Sequence, residues 1–208
     1  MTGLVSQLIA GVQALGLESV VSEEMQAKCL AYIALLHKWN KVYNLTAVRD
    51  PQEMLSLHIL DSLSVLPYIV SGSLLDVGSG GGLPGLIIAI TRPDVQVTTI
   101  DTVQKKAIFM RQVKAELGLD NVEVVHGRVE AYQPPSPFDQ VISRAFSDIA
   151  LFRRLTMHLM VANGRWLAMK GVVPADELQL ASIIPSEIIR LQVPTLQAER
   201  HLIVFENS

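Results

Sequence analysis

Apolar residues recur at helical spacing through the first third of the chain and at strand spacing through much of the rest. Leu4, Leu8, Val12 and Leu15 mark a short amphipathic helix that stops at Gly16. Ser22 is placed to cap a second helix, with Glu23 and Glu24 in its positive first turn. Met25, Cys29, Tyr32, Ile33, Leu36 and Trp39 form its single apolar stripe, which ends near Asn40. Asp50, Pro51 and Glu53 open a third helix with a capping acid, a proline at the first helical position and an acid at the third. This helix is expected to end before Pro67.

From Ser73 onward short apolar runs alternate with helical stretches, the pattern of βαβ units. Five strands are predicted at 74–77, 95–100, 122–125, 140–143 and 165–169, and the helix after the second stops at Gly118. The runs at 188–193 and 201–205 are separated by about seven residues. That is too few for a crossover helix, so they should pair as an antiparallel hairpin. The expected architecture is an α/β, Rossmann-like, mostly parallel sheet with a C-terminal antiparallel hairpin, in residues 71–208, preceded by a helical N-terminal cap in residues 1–70.

Composition narrows the class. A chain of 208 residues, 50% hydrophobic and 18% charged, has enough apolar surface for one well-buried core and is not disordered. Its single cysteine, Cys29, has no intrachain disulfide partner and suits a reducing compartment. The first basic residue is Lys28, so the positive start of a signal peptide is missing, and no uncharged apolar run approaches the ~20 residues that span a bilayer. A cytoplasmic protein without membrane contact is expected.

With 17 Lys plus Arg against 20 Asp plus Glu the net charge is −3, yet its distribution is uneven. Residues 25–49 hold Lys28, Lys38, Lys41 and Arg49 and no acid, and residues 140–175 hold five bases against Asp148 alone. An acidic chain can therefore present a cationic face that attracts a polyanion, although solvated helix faces give the same pattern.

The first predicted strand runs into Asp76-Val77-Gly78-Ser79-Gly80-Gly81-Gly82-Leu83-Pro84-Gly85. Glycines allow close backbone approach, and the helix start that follows offers free N–H donors to a ligand. Gly80, Gly82 and Gly85 match the dinucleotide fingerprint, and Asp101 falls near the ~20-residue offset of a ribose-binding acid. An adenosine diol occurs in both NAD and S-adenosylmethionine. Three features favour the latter. Asp76 is placed to receive a cationic ammonium or to fix the loop, the terminal hairpin resembles that of methyltransferase sheets, and little chain remains for a dehydrogenase's substrate domain.

The segments His37-Lys38-Trp39-Asn40-Lys41-Val42-Tyr43-Asn44-Leu45-Thr46 and Leu57-His58-Ile59-Leu60-Asp61-Ser62-Leu63, with the glycine loop, resemble the bacterial small-subunit rRNA methyltransferase G family. So do Ile142-Ser143-Arg144-Ala145-Phe146, Met169-Lys170-Gly171 and Glu199-Arg200-His201-Leu202. The loop reads SGGG where relatives often read TGPG or SGAG. The resemblance implies S-adenosylmethionine-dependent N7-methylation of a guanine in 16S rRNA, at nucleotide 527 in the 530 loop. It further implies that Gly78 and Leu83 lie in the cofactor loop, that Val129 and Glu130 border the adenine, and that Arg144 reaches the cofactor pocket.

The residues are compatible with that chemistry. Guanine N7 keeps an available lone pair, so the main task is to hold acceptor and methyl donor in line, and no general base is needed. No Asn/Asp-Pro-Pro-aromatic element follows the fourth strand, and Cys29, on an apolar stripe, is a poor candidate nucleophile. Arg144 lies past a strand end, where ligands sit in open α/β sheets, and can hold a phosphate or a base, or a structural ion pair. Lys170 shares that position after the fifth strand. Phe146 can stack on the target base or belong to the core, and Glu130 can accept from an adenine amino group or be a surface carboxylate. His58 and Asp61 are spaced to pair on one helix face, as a substrate contact or as a tie to the sheet, and Asn44 carries the same two readings. Lys38, Lys41 and Arg49, with Arg200, read as RNA contacts. Trp39 and Tyr43 should pack together, and no metal-ligand spacing occurs. The alternatives are an NAD-dependent oxidoreductase and a noncatalytic RNA-binding module. Whether the partner is naked 16S rRNA, an assembling particle or the complete small subunit stays open.

Overall fold

The apolar alternation after Ser73 builds a seven-stranded sheet. A computed structural model of the chain describes residues 2–206 other than Ala145, Ser147 and Ala181, so Ala145 of the 142–146 motif lies outside the described residues. The strands are β1 (Gly72–Val77), β2 (Val95–Asp101), β3 (Val122–His126), β4 (Phe138–Ser143), β5 (Met160–Lys170), β6 (Glu187–Arg190) and β7 (His201–Glu206). They lie side by side in the order β3-β2-β1-β4-β5-β7-β6. The first five are parallel to one another, whereas β7 is antiparallel to both β5 and β6. This is the α/β sheet with an antiparallel end that the spacing of the runs predicts.

Most strand boundaries fall within two residues of expectation, and two differ by three or more. The fifth strand begins at Met160, five residues before Arg165, and runs through Asn163 and Gly164. Asn163 has a φ of +62°, and the pairing with β4 changes register between Phe138 and Gln140, so the interruption is a bulge within a continuing strand. The sixth strand stops at Arg190 rather than 193. Leu191 and Val193 are buried as the chain turns away toward Pro194, so their apolar character serves the core without a ladder.

The helices are α1 (Thr2–Ala14), α2 (Glu23–Tyr43), α3 (Pro51–Met54), α4 (Asp61–Leu63), α5 (Gly85–Thr91), α6 (Gln104–Leu117), α7 (Ile149–Thr156) and α8 (Ala175–Leu180). Ser22 caps α2 through Met25 N–H and Asp50 caps α3 through Gln52 N–H, as the sequence predicts. The second helix runs three residues past Asn40 to Tyr43, and Asn44 closes it in the left-handed conformation, with a φ of +48°. Between α3 and α4 lies a departure: Leu55–Leu60 forms a π-helical turn rather than continuous α-helix, a wider winding often found at functional sites.

One apolar cluster joins α1, α2, α5, α6 and the π turn to one face of the sheet, and a second, around Trp166, Phe152 and Phe205, fills the other. Gln140, wholly buried on β4, ties the segment entering β1 to the sheet. Its Oε1 accepts from Val70 N–H at 2.9 Å and its Nε2 donates to Val70 O at 2.8 Å. Replacing Gln140 by Leu strips both bonds from the Val70 peptide groups. The Gln140→Leu variant is expected to lose about 2 kcal/mol of stability, read from urea denaturation midpoints.

Candidate functional site

The strand order sets the place of the site. From β1 the chain builds outward through β2 and β3, then returns to lay β4 on the other side of β1, so the sheet reverses direction at these two strands. A crevice opens at such a switch point, beyond the strands' C-terminal ends. Here it holds the glycine loop after β1 and Arg144 after β4.

Five hydrogen bonds fix the loop. Gly78 N–H and Ser79 N–H both donate to Ile100 O, and Gly80 N–H donates to Asp101 Oδ2 at 2.8 Å. Tyr32 Oη, reaching across from α2, donates to Gly81 O at 2.8 Å, and Gly85 N–H donates to Asp76 Oδ2 at 2.9 Å. Glycine is required at Gly82, whose φ is +91° and where a Cβ would stand 2.3 Å from Leu86 Cδ1. At Gly85 a Cβ would come within 2.8 Å of Asp76 Oδ2. Of the two roles open to Asp76, the geometry therefore gives it the fixing of the loop. Its carboxyl is wholly buried, and burial pushes its pKa up to about 7 against the opposing pull of Gly85 N–H and Arg144.

Two cavities meet at Gly78. The first, about 500 Å³, is lined by the 78–81 backbone and Leu83, by His58 and Asp61 from the N-terminal region, and by Arg144, Lys170 and Arg200. The second, about 330 Å³, lies over the ends of β1, β2 and β3 and is lined by Asp101, Val129, Glu130 and Phe146, among others. Of the predicted cofactor residues, Gly80, Leu83 and Arg144 line the first cavity, Asp101, Val129 and Glu130 the second and Gly78 both, whereas Asp76 and Gly82 line neither. Asp101 uses Oδ2 for Gly80 N–H, with Lys106 Nζ 3.7 Å from the same oxygen, and Oδ1 for Val103 N–H, and Oδ1 keeps a further lone pair for a ligand. Glu130 is exposed and pairs with Arg128 at 2.6 Å. Phe146 borders the second cavity and stacks on Phe152 at 5.1 Å, which places it away from the cavity that holds Arg200 and His58.

The cationic side chains of the first cavity are all engaged. Asp61 Oδ2 accepts from Arg144 Nη1 at 2.8 Å and Asp61 Oδ1 accepts from Arg200 Nε at 3.0 Å. Lys170 lies 3.6 Å from Glu177. The expected pairing of His58 with Asp61 is therefore corrected: the two arginines take the carboxylate. His58 Nε2 instead meets Thr46 Oγ1 at 3.1 Å. Burial, with Arg144 nearby, pulls the His58 pKa down to about 4, so the imidazole is neutral at ordinary pH.

The Trp-Asn-Lys segment has its own local logic. Asn40 is buried, donates to Val48 O and accepts from Thr46 N–H, which folds the 44–48 turn back toward His58. Arg49 donates to Asn40 O at 3.1 Å and to Asn44 Oδ1 at 2.7 Å, closing the end of α2. Both Asn44 and Arg49 thus have structural partners while staying exposed, and Lys38 and Lys41 stand on the exposed face of α2. Trp39 and Tyr43 pack at 5.1 Å, as their spacing predicts. Lys105, which sequence reading missed, extends from α6 to donate to Tyr43 O and adds a cation beside this face. Cys29 is fully buried and its thiol is pushed up to about 12, so it is no nucleophile.

For Asp61, singled out in the sequence as a partner of His58 or a tie to the sheet, the sequence reading missed the two arginine partners. The available signal is a carboxylate between Leu60 and Leu63 in an apolar run, where burial requires a cationic partner.

The family model described as rRNA small subunit methyltransferase G matches residues 25–203. A protein of Methylobacillus flagellatus named ribosomal RNA small subunit methyltransferase G is 62% identical, covering 95% of each chain. A protein of the same name from Chromobacterium violaceum is 50% identical over 98% of each. Among solved structures, a SAM dependent methyltransferase from Aquifex aeolicus superposes with a TM-score of 0.56 over 82% of this chain and 97% of its own, at 20% identity, a likeness of fold.

Asp76 generates a pH signature. Because its folded pKa lies above the ordinary carboxylate value, the folded state binds the extra proton between about pH 4 and about pH 7. Its contribution to stability is accordingly lost as pH rises through that window. Denaturant titrations are expected to show wild-type stability falling relative to Asp76→Asn across this range, with equal slopes refuting the assignment.

Proposed function

The chain belongs to the ribosomal RNA small subunit methyltransferase G family, and from that membership we propose that it methylates N7 of a guanine in 16S rRNA, at nucleotide 527 in the 530 loop. The observation that carries this reading is the pair of chambers meeting at Gly78, one beside Asp101 and the other rimmed by arginines. S-adenosylmethionine fits them as the methyl donor. The glycine loop leaves room for close approach, and Asp101 Oδ1 keeps a lone pair for the ribose diol. The second chamber, with Val129 and Glu130, suits the adenine. When bound, the donor supplies an electrophilic methyl group on a sulfonium.

The chain's own residues then position the acceptor. The first chamber receives the target base next to the 78–81 backbone, with Arg144, Lys170 and Arg200 around it as partners for phosphate and base edges. His58, neutral and bonded to Thr46, adds a polar wall without charge. No side chain has to remove a proton from N7, which agrees with a chamber in which, among the described residues, the acid in contact with the arginines is already paired with both. Lys38, Lys41 and Arg49, with Lys105 beside them, extend the cationic surface from the chamber toward α2. The N-terminal helices thereby form a cap that grips RNA, and residues 71–208 perform the transfer.

Incubation with labelled donor and 16S rRNA or small subunits, followed by mass mapping of modified nucleotides, is expected to place 7-methylguanosine at one site. Absence of transfer leaves the noncatalytic RNA-binding reading, and saturable NADH binding favours the oxidoreductase. The surface reading is separable from the chamber. Lys38→Glu combined with Lys41→Glu is expected to leave donor affinity within about twofold. RNA affinity should fall at least tenfold at low salt, with a shallower dependence on salt concentration. Unchanged RNA affinity would discard the cationic face on α2.

A further inference from the structure

One carboxylate lies between the two arginines of the first chamber, and its environment is unusual. The Asp61 side chain is only 4% exposed, while Arg144 and Arg200 are each 25% exposed. The three residues come from three separate parts of the fold: the end of the π turn, the end of β4, and the segment before β7. Arg144 is additionally anchored by donation from Nη1 to Leu57 O at 3.1 Å, and Arg200 by donation from Nη1 to Glu199 O at 2.8 Å. Among the described residues, Nε and Nη2 of Arg144 and Nη2 of Arg200 have no protein partner. The trio carries a net charge of +1 and keeps N–H donors in reserve at the wall of a cavity.

We infer that Asp61 is a positioning residue for methyl transfer: it holds Arg144 and Arg200 at a fixed separation, so that RNA engaged by Arg200 is kept in register with the donor beside Arg144. This inference rests on the methyltransferase reading above. A guanidinium on a long side chain is free to swing, and a phosphate held by a swinging group is bound without being placed. Bridging both guanidiniums to one buried carboxylate removes that freedom before RNA arrives. The π turn contributes directly, since Asp61 follows its last residue and Leu57 within it accepts from Arg144.

A residue that only glued the fold together would, when lost, lower stability, RNA affinity and rate together. A positioning carboxylate behaves differently. Asp61→Asn removes a negative charge from a chamber that binds a polyanion, so RNA affinity is expected to stay within about twofold or to tighten. The single-turnover transfer rate at saturating donor and RNA should fall about 100-fold, the scale of loss expected from small misplacement of reacting groups. The experiment measures that rate and the RNA dissociation constant for the wild type, Asp61→Asn and Arg200→Lys, the last retaining charge without the planar fork. Arg200→Lys is expected to keep RNA affinity within about threefold and to lose at least tenfold in rate, and it decides the matter if Asp61→Asn does not fold. A wild-type rate in Asp61→Asn, or in Arg200→Lys, overturns the inference, as does a parallel loss of RNA affinity and rate in both variants. A wild-type protein that transfers no methyl group overturns the functional reading and this inference with it.

Discussion

A parallel sheet whose strand order reverses between two neighbours cannot cover the C-terminal ends of both, because the connections leave in opposite directions. In this chain the reversal falls at β1 and β4, and the chambers follow from it. The loop after β1 has to turn sharply in the opened space and is rich in glycine. The residue after β4 faces the same space and is an arginine. Segments distant in sequence, the π turn and the approach to β7, reach the crevice from its rim and bring Asp61 and Arg200 to it.

Electrostatics in the site are local. A chain of net charge −3 would repel a polyanion if its charges were spread evenly. Instead Asp61 is paired with two arginines and Glu177 with Lys170, and the remaining positive charge lies at the wall of the first chamber. Burial does the rest. It makes His58 neutral and keeps Asp76 partly protonated, so two further titratable groups add little charge beside the loop.

Much of this was legible in the sequence because the signals were local. The caps at Ser22 and Asp50, the β1 to glycine loop to α5 transition and the terminal hairpin each rest on residues within a few positions of one another. What escaped depends on contacts across long separations. Asp61 and Arg200 are 139 positions apart, and nothing in their spacing announces that they meet. The π turn replaces an α-helix without any proline or glycine to mark it, and Asn163-Gly164 sits inside a strand because β4 pairs on both sides of the bulge. Arg49 and Asn44 show a different limit, since charge and exposure on the page of the sequence give no sign that they close the end of α2.

The Tyr32 hydroxyl bonded to Gly81 has a consequence for how this protein can be divided. Tyr32 belongs to α2, outside the sheet, yet it braces the loop at the heart of the crevice, and its ring packs edge-on against Phe109 of α6. A graft that transplanted the sheet and its crossover helices alone would leave the Gly81 carbonyl without its donor and a ring-sized void above Phe109. The N-terminal helices are consequently not an interchangeable accessory, and the smallest portable unit begins no later than the start of α2.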